Sequence, residues 1–239
     1  MTSIISATPA ATDSLDHLLR RTTIFRRLAA GDRQRLAAAG TVRAFDKGVC
    51  LFREGDDSDR LYTIVSGRVK EFKTTARGAD LILEIFGPGE SVGAEAVYES
   101  RPYPGSAAAL EPATCLLIPR QAFFSLLESS PSMVRGLLTG LTHSLDELTT
   151  RVAELSTGHV DARLARFFLK LAETMGQERR EGIFIPLALT RQELAEMIGT
   201  TIETSIRTMS RWGKQGLVRT EKGGFLLADR AALRALALS

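Results

Sequence analysis

The chain has 239 residues, 44% of them apolar and 25% charged, and carries a net charge of +3 at pH 7. That size and composition predict a soluble globular protein of two domains. No apolar run approaches the roughly 18 residues of a membrane span, and two cysteines, Cys50 and Cys115, are too few for a disulfide framework, so a reduced, cytoplasmic setting is expected. The charge is uneven: residues 1–156 carry 18 Lys/Arg against 19 Asp/Glu, and residues 157–239 carry 13 against 9. A mildly basic C-terminal part fits a phosphate-facing module.

The opening stretch MTSIISATPAATDS lacks a basic n-region and a long apolar core, which argues against a signal peptide and for a flexible tail over residues 1–14. Residues 15–39 read as helical, with Leu15, Leu18, Leu19, Leu28 and Leu36 as apolar positions. From Thr41 the pattern changes to short alternating runs, VRAF, VCLF, DRLYTIVSG, RVKEFKT, LILEIFG and ATCLLIP, punctuated by glycines such as Gly48, Gly55, Gly67 and Gly78. That predicts an all-β barrel or sandwich over about 41–119. Asp56, Asp57 and Asp59 lack the ordered spacing and closing Glu of a calcium loop and read as a solvated turn.

Residues 120–130 predict a short helix, and Pro131 opens a long one at its first turn. Along it Val134, Leu138, Leu141, Leu145, Leu148, Val152 and Leu155 recur in steps of four and three. Such a 3.5-residue repeat is the pattern of a coiled-coil seam, here of a parallel homodimer, whereas a helix buried on the β domain would show a broader stripe. Gly136 and Gly140 predict the close approach of another element. Gly158 and His159 read as a hinge within 156–161, followed by a helix from Asp161, as its N-cap, to Glu173 with Leu164, Phe167, Phe168 and Leu171 on its core face. MGQERREG reads as a loop and IFIPLAL as a strand.

The most informative stretch is LTRQELAEMIGTTIETSIRTMSRWGKQGLV, Leu189 to Val218. Thr190 and Glu193 form a capping box, Gly199 ends the first short helix, and Thr200 or Thr201 caps a second that runs to about Gln215. On the second helix Ile202, Ser205, Ile206, Met209 and Trp212 fall in one arc, and Glu203, Arg207, Ser210 and Arg211 in the next. The second arc suits a major groove, where Arg bonds guanine O6/N7 and Glu accepts from cytosine N4. Equally, Glu203–Arg207 suits an i,i+4 surface ion pair. LVRT and FLLA then predict a β-hairpin whose turn, Lys222-Gly223-Gly224, offers a cation and bare amides to a phosphate.

In this order the parts resemble the CRP/FNR superfamily of bacterial transcription regulators from about residue 15 to 235, most closely in LTRQELAEMIGTTIETSIR. The resemblance implies an α+β fold: an N-terminal β-roll, a jelly roll like that of cyclic-nucleotide-binding domains, over residues 15–130, a dimerisation helix over 131–157, and a winged helix-turn-helix over 158–239. It implies a homodimer that binds double-stranded DNA, reads a TTGA-like inverted repeat, senses a signal in the β-roll and works with RNA polymerase. Catalysis is not expected, because no nucleophile–base set, phosphate loop or metal motif is present. A ligand-binding adaptor whose winged helix contacts protein is the alternative from another class.

Matched to the family, Glu203 and Arg207 are base readers, Ile202 takes the place of a third base-reading Arg as in the FNR-like branch, and Ile206 stands where such proteins often carry Ser. Arg191, Gln192, Thr201 and Thr204 match phosphate-holding positions, with Lys222 on the wing. The candidate effector pocket comprises Gly93, Ala94, Glu95, Arg101 and Ser106. In cyclic-nucleotide-binding relatives a Gly-Glu pair and an Arg-Ser pair hold ribose and phosphate. Here Ala94 follows Gly93 and Gly105 precedes Ser106, so the phosphate has no counter-charge, and cyclic AMP is not expected. An FNR-type iron–sulfur cluster would need four cysteines. The effector stays open among a small molecule, haem-bound NO or CO with His17, His143 or His159 as candidate ligands, thiol oxidation at Cys50, and none.

Overall fold

The structure, a computed structural model, describes residues 4–5, 9–75, 78, 80–156 and 159–238. The chain forms two units, residues 1–147 and 148–239. In the first, β1 (Ile4–Ile5), α1 (Pro9–Arg21) and α2 (Ala30–Ala39) precede the strands β2 (Thr41–Phe45), β3 (Cys50–Phe52), β4 (Arg60–Ser66), β5 (Val69–Thr74), β6 (Asp80–Phe86) and β7 (Ser91–Val92). A short helix α3 (Ala94–Glu99) leads to β8 (Ser106–Ala109) and β9 (Ala113–Pro119), and then to α4 (Arg120–Ser129) and α5 (Pro131–Ser156), whose last residues, from Leu148, belong to the second unit. The stretch expected as a flexible tail over 1–14 thus carries structure: Ile4 and Ile5 pair with Arg43 and Val42 on β2, and α1 begins at Pro9, which suits a first helical position.

Two antiparallel sheets, ordered β1-β2-β9-β4-β7 and β3-β8-β5-β6, make the β-roll. Strand β9 explains the apolar run ATCLLIP: Cys115 and Leu117 face a cluster with Tyr62, Ile64, Val69 and Phe86, while Leu116 and Ile118 face a second with Leu19, Phe25, Phe123 and Met133 from the helices. A strand covered on both faces reads as continuous rather than alternating hydrophobicity. Two strands of the roll, β7 and β8, carried no signal in the sequence: β7 is two residues long, and β8 is Ser-Ala-Ala-Ala without a β-branched or aromatic side chain.

Helix α5 buries Met133 and Leu137 on one side, and a Cβ at Gly136 would lie 2.1 Å from the carbonyl O of Ile24. The close approach expected at Gly136 is therefore with the turn after α1. The heptad positions face the other way: Val134, Leu138, Leu141, Leu145 and Leu148 are 39–63% exposed. Val152 and Leu155 lie in α5, but their side chains and that of His143 fall outside the described residues.

The second unit contains α6 (Val160–Met175), β10 (Gln177–Arg179), β11 (Gly182–Ile185), α7 (Arg191–Ile198), α8 (Ile202–Lys214), β12 (Val218–Glu221), β13 (Gly224–Leu227) and α9 (Arg230–Ala237). Its sheet runs β10-β11-β13-β12, and its core centres on Phe168, whose ring centroid lies 5.0 Å from Phe225 and 6.4 Å from Trp212. The loop expected at MGQERREG instead contributes β10, paired Gln177 to Phe184 through Arg179 to Gly182. Gly158 of the expected hinge lies outside the described residues, and His159, not Asp161, is the N-cap of α6.

Candidate nucleic-acid interface and sensory pocket

The helix pair α7–α8 is built as its sequence predicts. Thr190 Oγ1 accepts from Glu193 N at 3.1 Å, and Glu193 Oε2 accepts from Thr190 N at 2.7 Å. Gly199 then takes φ +65°, a left-handed conformation that an L side chain disfavours. Thr201 caps α8 by accepting from Thr204 N at 3.3 Å. Ser205, Thr208, Met209 and Trp212 are buried, and Glu203, Ile206, Arg207, Ser210 and Arg211 are exposed.

Two details depart from the helical wheel. Ile206, placed in the apolar arc, is 50% exposed, because Thr208 on the other flank is buried in its stead and rotates the packed face away. Arg211, placed in the outward arc, is ion-paired with Asp161 of α6. Among the described residues Glu203 and Arg207 form no ion pair, either with each other or with a neighbour. The local surface salt bridge that their i,i+4 spacing allows is not made, so both keep their hydrogen-bonding capacity for an outside group.

The residues matched to phosphate positions are more engaged. Arg191 is half-buried, which lowers its pKa by desolvation, and its Nη2 donates to Thr220 Oγ1 on β12 at 2.7 Å, tying α7 to the wing. Gln192 Nε2 donates to Glu196 Oε1 at 2.8 Å, and Thr201 Oγ1 donates to Thr204 Oγ1 at 3.1 Å. At the wing tip Lys222 is exposed beside Gly223, whose φ of +83° closes the turn between β12 and β13.

In the β-roll the candidate pocket residues separate into two groups. Gly93, at φ +83°, starts α3, and a Cβ there would come within 2.8 Å of Tyr103 Cε1, in a ring stacked on Phe52 at 3.8 Å. Ala94 is buried, and Ser106 Oγ accepts from Glu54 N at 2.9 Å. Glu95 is desolvated, so its pKa is raised. Facing it electrostatically is Glu71 of β5, which the sequence did not mark: burial, reinforced by Glu95, pushes its carboxyl up to about 7. A Cβ on Gly105 would lie 3.5 Å from Glu71 Oε1, so a carboxylate sits beside the position where cyclic-nucleotide-binding relatives place an arginine. Arg101 stands apart, ion-paired with Glu99 at 2.6 Å, and lines a surface cavity of about 480 Å³ with Asp57, Ser58, Asp59 and Arg120.

The acidic turn serves itself: Asp56 accepts from Arg53 N at 2.8 Å, and Asp59 pairs with Arg60. Cys115 is fully buried and its thiol is pushed up to about 12, which keeps it protonated, whereas Cys50 is half-buried. His17 and His159 are exposed. No described helix is long and apolar enough to cross a membrane.

Comparison with known proteins matches the two units separately. Residues 42–130 match the cyclic nucleotide-binding domain, and residues 162–236 match the Crp-like helix-turn-helix domain. The chain is 28% identical over 219 residues to the CRP-like cAMP-activated global transcriptional regulator of Mycobacterium tuberculosis, covering 92% of this chain and 98% of that one. It is 29% identical over 195 residues to the transcriptional activator protein Anr of Pseudomonas aeruginosa, covering 82% and 80%. In fold it matches FixK2 from Bradyrhizobium japonicum with a TM-score of 0.73 at 20% identity, covering 82% and 96%. A sensory β-roll joined through a long helix to a winged helix-turn-helix defines a DNA-binding transcription regulator rather than an enzyme. The chain belongs to the CRP/FNR family, whose members bind DNA, typically as dimers.

Proposed function

We propose that two copies of the chain pair along α5 and bind a TTGA-like inverted repeat, each α8 entering one of two successive major grooves. In this reading residues 15–130 sense, 131–157 dimerise and 158–239 bind DNA. Arg207 forks onto guanine, Glu203 accepts from cytosine, and Ile202 and Ile206 meet thymine methyl groups. Arg191, Gln192, Thr201, Thr204 and Lys222 hold phosphates, and RNA polymerase is the protein partner, in the cytoplasm. The observation that carries the reading is the outer face of α8, where Glu203 and Arg207 stand exposed, without an ion-pair partner among the described residues, beside a half-exposed Ile206. Arg207→Ala should cost about 1–3 kcal/mol of operator binding and relax preference at one base pair. A footprint titration that finds affinity and sequence preference both unchanged would remove Arg207 from the reading set.

The effector of this reading is not a cyclic nucleotide monophosphate. The raised carboxyls of Glu71 and Glu95, and a glycine at position 105 beside Glu71 Oε1, oppose a buried phosphate. Titrating cyclic AMP into the protein by calorimetry should give no heat of binding, and saturable binding in the micromolar range would contradict it.

A further inference from the structure

Asp161 has the sequence character of a helix cap, but it is the second residue of α6, and its carboxylate leaves its own helix. Oδ1 accepts from the indole Nε1 of Trp212 at 3.1 Å and also from Arg211 Nη2. These are consecutive residues of α8, Trp212 on the buried side at 1% exposure and Arg211 on the rim of the outer face. One oxygen thereby grips the last turns of α8 from two directions. Two residues further along α6, Arg163 Nε donates to Ile198 O at 2.9 Å and Nη2 to Gly199 O at 3.4 Å, at the end of α7. The first turn of α6 therefore holds both helices of the pair through polar atoms.

Apolar packing alone tolerates small rotations of a helix, because one methyl contact replaces another at little cost. A hydrogen bond does not, since it weakens steeply away from its preferred angle. Contacts that read a base demand aim within about 10–20°. We propose that Asp161 is a positioning residue for DNA recognition: by holding Arg211 and Trp212 it sets the rotation of α8 about its axis, and so the aim of Glu203 and Arg207. The proposal rests on α8 being the reading helix. It also removes Arg211 from the set of DNA-contacting groups, because its guanidinium is engaged within the protein.

The test compares full-length wild type with Asp161→Ala, Asp161→Asn, Arg211→Gln and the double variant Asp161→Ala/Arg211→Gln, with Arg207→Ala as the control for reading. Each is titrated against a TTGA inverted repeat and a scrambled duplex at two salt concentrations. Asp161→Ala should weaken binding to the repeat about tenfold while scarcely changing binding to the scrambled duplex, as misaim of a contact does. Asp161→Asn, which keeps an acceptor for the indole, should fall between, and the double variant should be no worse than Asp161→Ala alone. Emission from Trp212, the only tryptophan of the chain, should shift in Asp161→Ala and return towards wild type in Asp161→Asn.

If Asp161→Ala does not fold, Arg211→Gln tests the same link from its half-exposed end and should lose repeat binding selectively. Folded Asp161→Ala and Arg211→Gln that discriminate like wild type, while Arg207→Ala does not, would overturn the positioning role alone. So would Arg211→Gln weakening both duplexes equally with a salt slope smaller by about one, the behaviour of a phosphate contact. An Arg207→Ala variant that discriminates like wild type would overturn the reading beneath it as well.

Discussion

Single residues carry the fold where a side chain has no room. Gly136 is such a place, since any Cβ would press on the backbone carbonyl of Ile24, which cannot move without displacing the turn after α1. Gly31 is the opposite case: it is also helical, yet a Cβ there would meet nothing within 4 Å. Gly136→Ala should therefore destabilise the protein by about 1–3 kcal/mol through overpacking. Gly31→Ala should stabilise it by up to about 1 kcal/mol, by lowering the entropy of the unfolded chain and improving helix propensity. Thermal unfolding of both variants checks the pair, and equal shifts of one sign would contradict the packing described for α5. Residue-scale function is less visible in sequence. Glu71 stands in the run RVKEFKT with nothing local to mark it, and only the fold brings it towards Glu95 and beside Gly105.

Whole elements were legible where local chemistry and periodicity agreed. The capping box at Thr190, the left-handed Gly199 and the Thr201 cap are chain-local devices, so α7 and α8 could be placed to within a residue or two. The wing strands β12 and β13 carried short runs with apolar residues, LVRT and FLLA, around a glycine turn. Elements whose identity depends on distant partners were silent: β8 is alanine-rich, β10 is wholly polar, and Asp161 carries a cap's side chain that a long-range partner diverts. The heptad of α5 was visible because the helix carries apolar residues on two faces. Met133 and Leu137 serve the β-roll, and Leu138 and Leu145 are 57% and 63% exposed. An apolar stripe of that length on a surface marks an interface. Because both leucines are more than half exposed, Leu138→Glu with Leu145→Glu should leave the unit folded and give monomers with weak operator affinity. Sedimentation that still finds a dimer would move the interface elsewhere.

At the scale of the molecule, the sensory unit carries a pH dependence. Glu71 is raised to about 7 in the folded state, so the fold binds its proton more tightly than the unfolded chain does. The resulting stabilisation is complete below the ordinary glutamate pKa and is lost as pH rises through about 7. The melting temperature of the first unit should fall between about pH 5 and pH 8, and Glu71→Gln should flatten that slope. A slope unchanged in Glu71→Gln would place its origin in other groups. The carboxyl pair also gives this β-roll a chemistry unlike that of a phosphate cradle, although the match over residues 42–130 is to cyclic nucleotide-binding domains. Shared architecture carries the transcription-regulator class, while the signal belongs to the few side chains lining the site.

Sequence reading by the outer face of α8, duplicated in a dimer, is the core of the proposed function. Its most direct test is an anisotropy titration of the full-length protein on two duplexes, one with an intact TTGA inverted repeat and one with the G·C pair of each half-site replaced. Each replacement should cost about 1–3 kcal/mol at fixed salt, and Arg207→Ala should abolish the difference. Equal affinity of the wild-type protein for both duplexes, with the same salt slope, would contradict it.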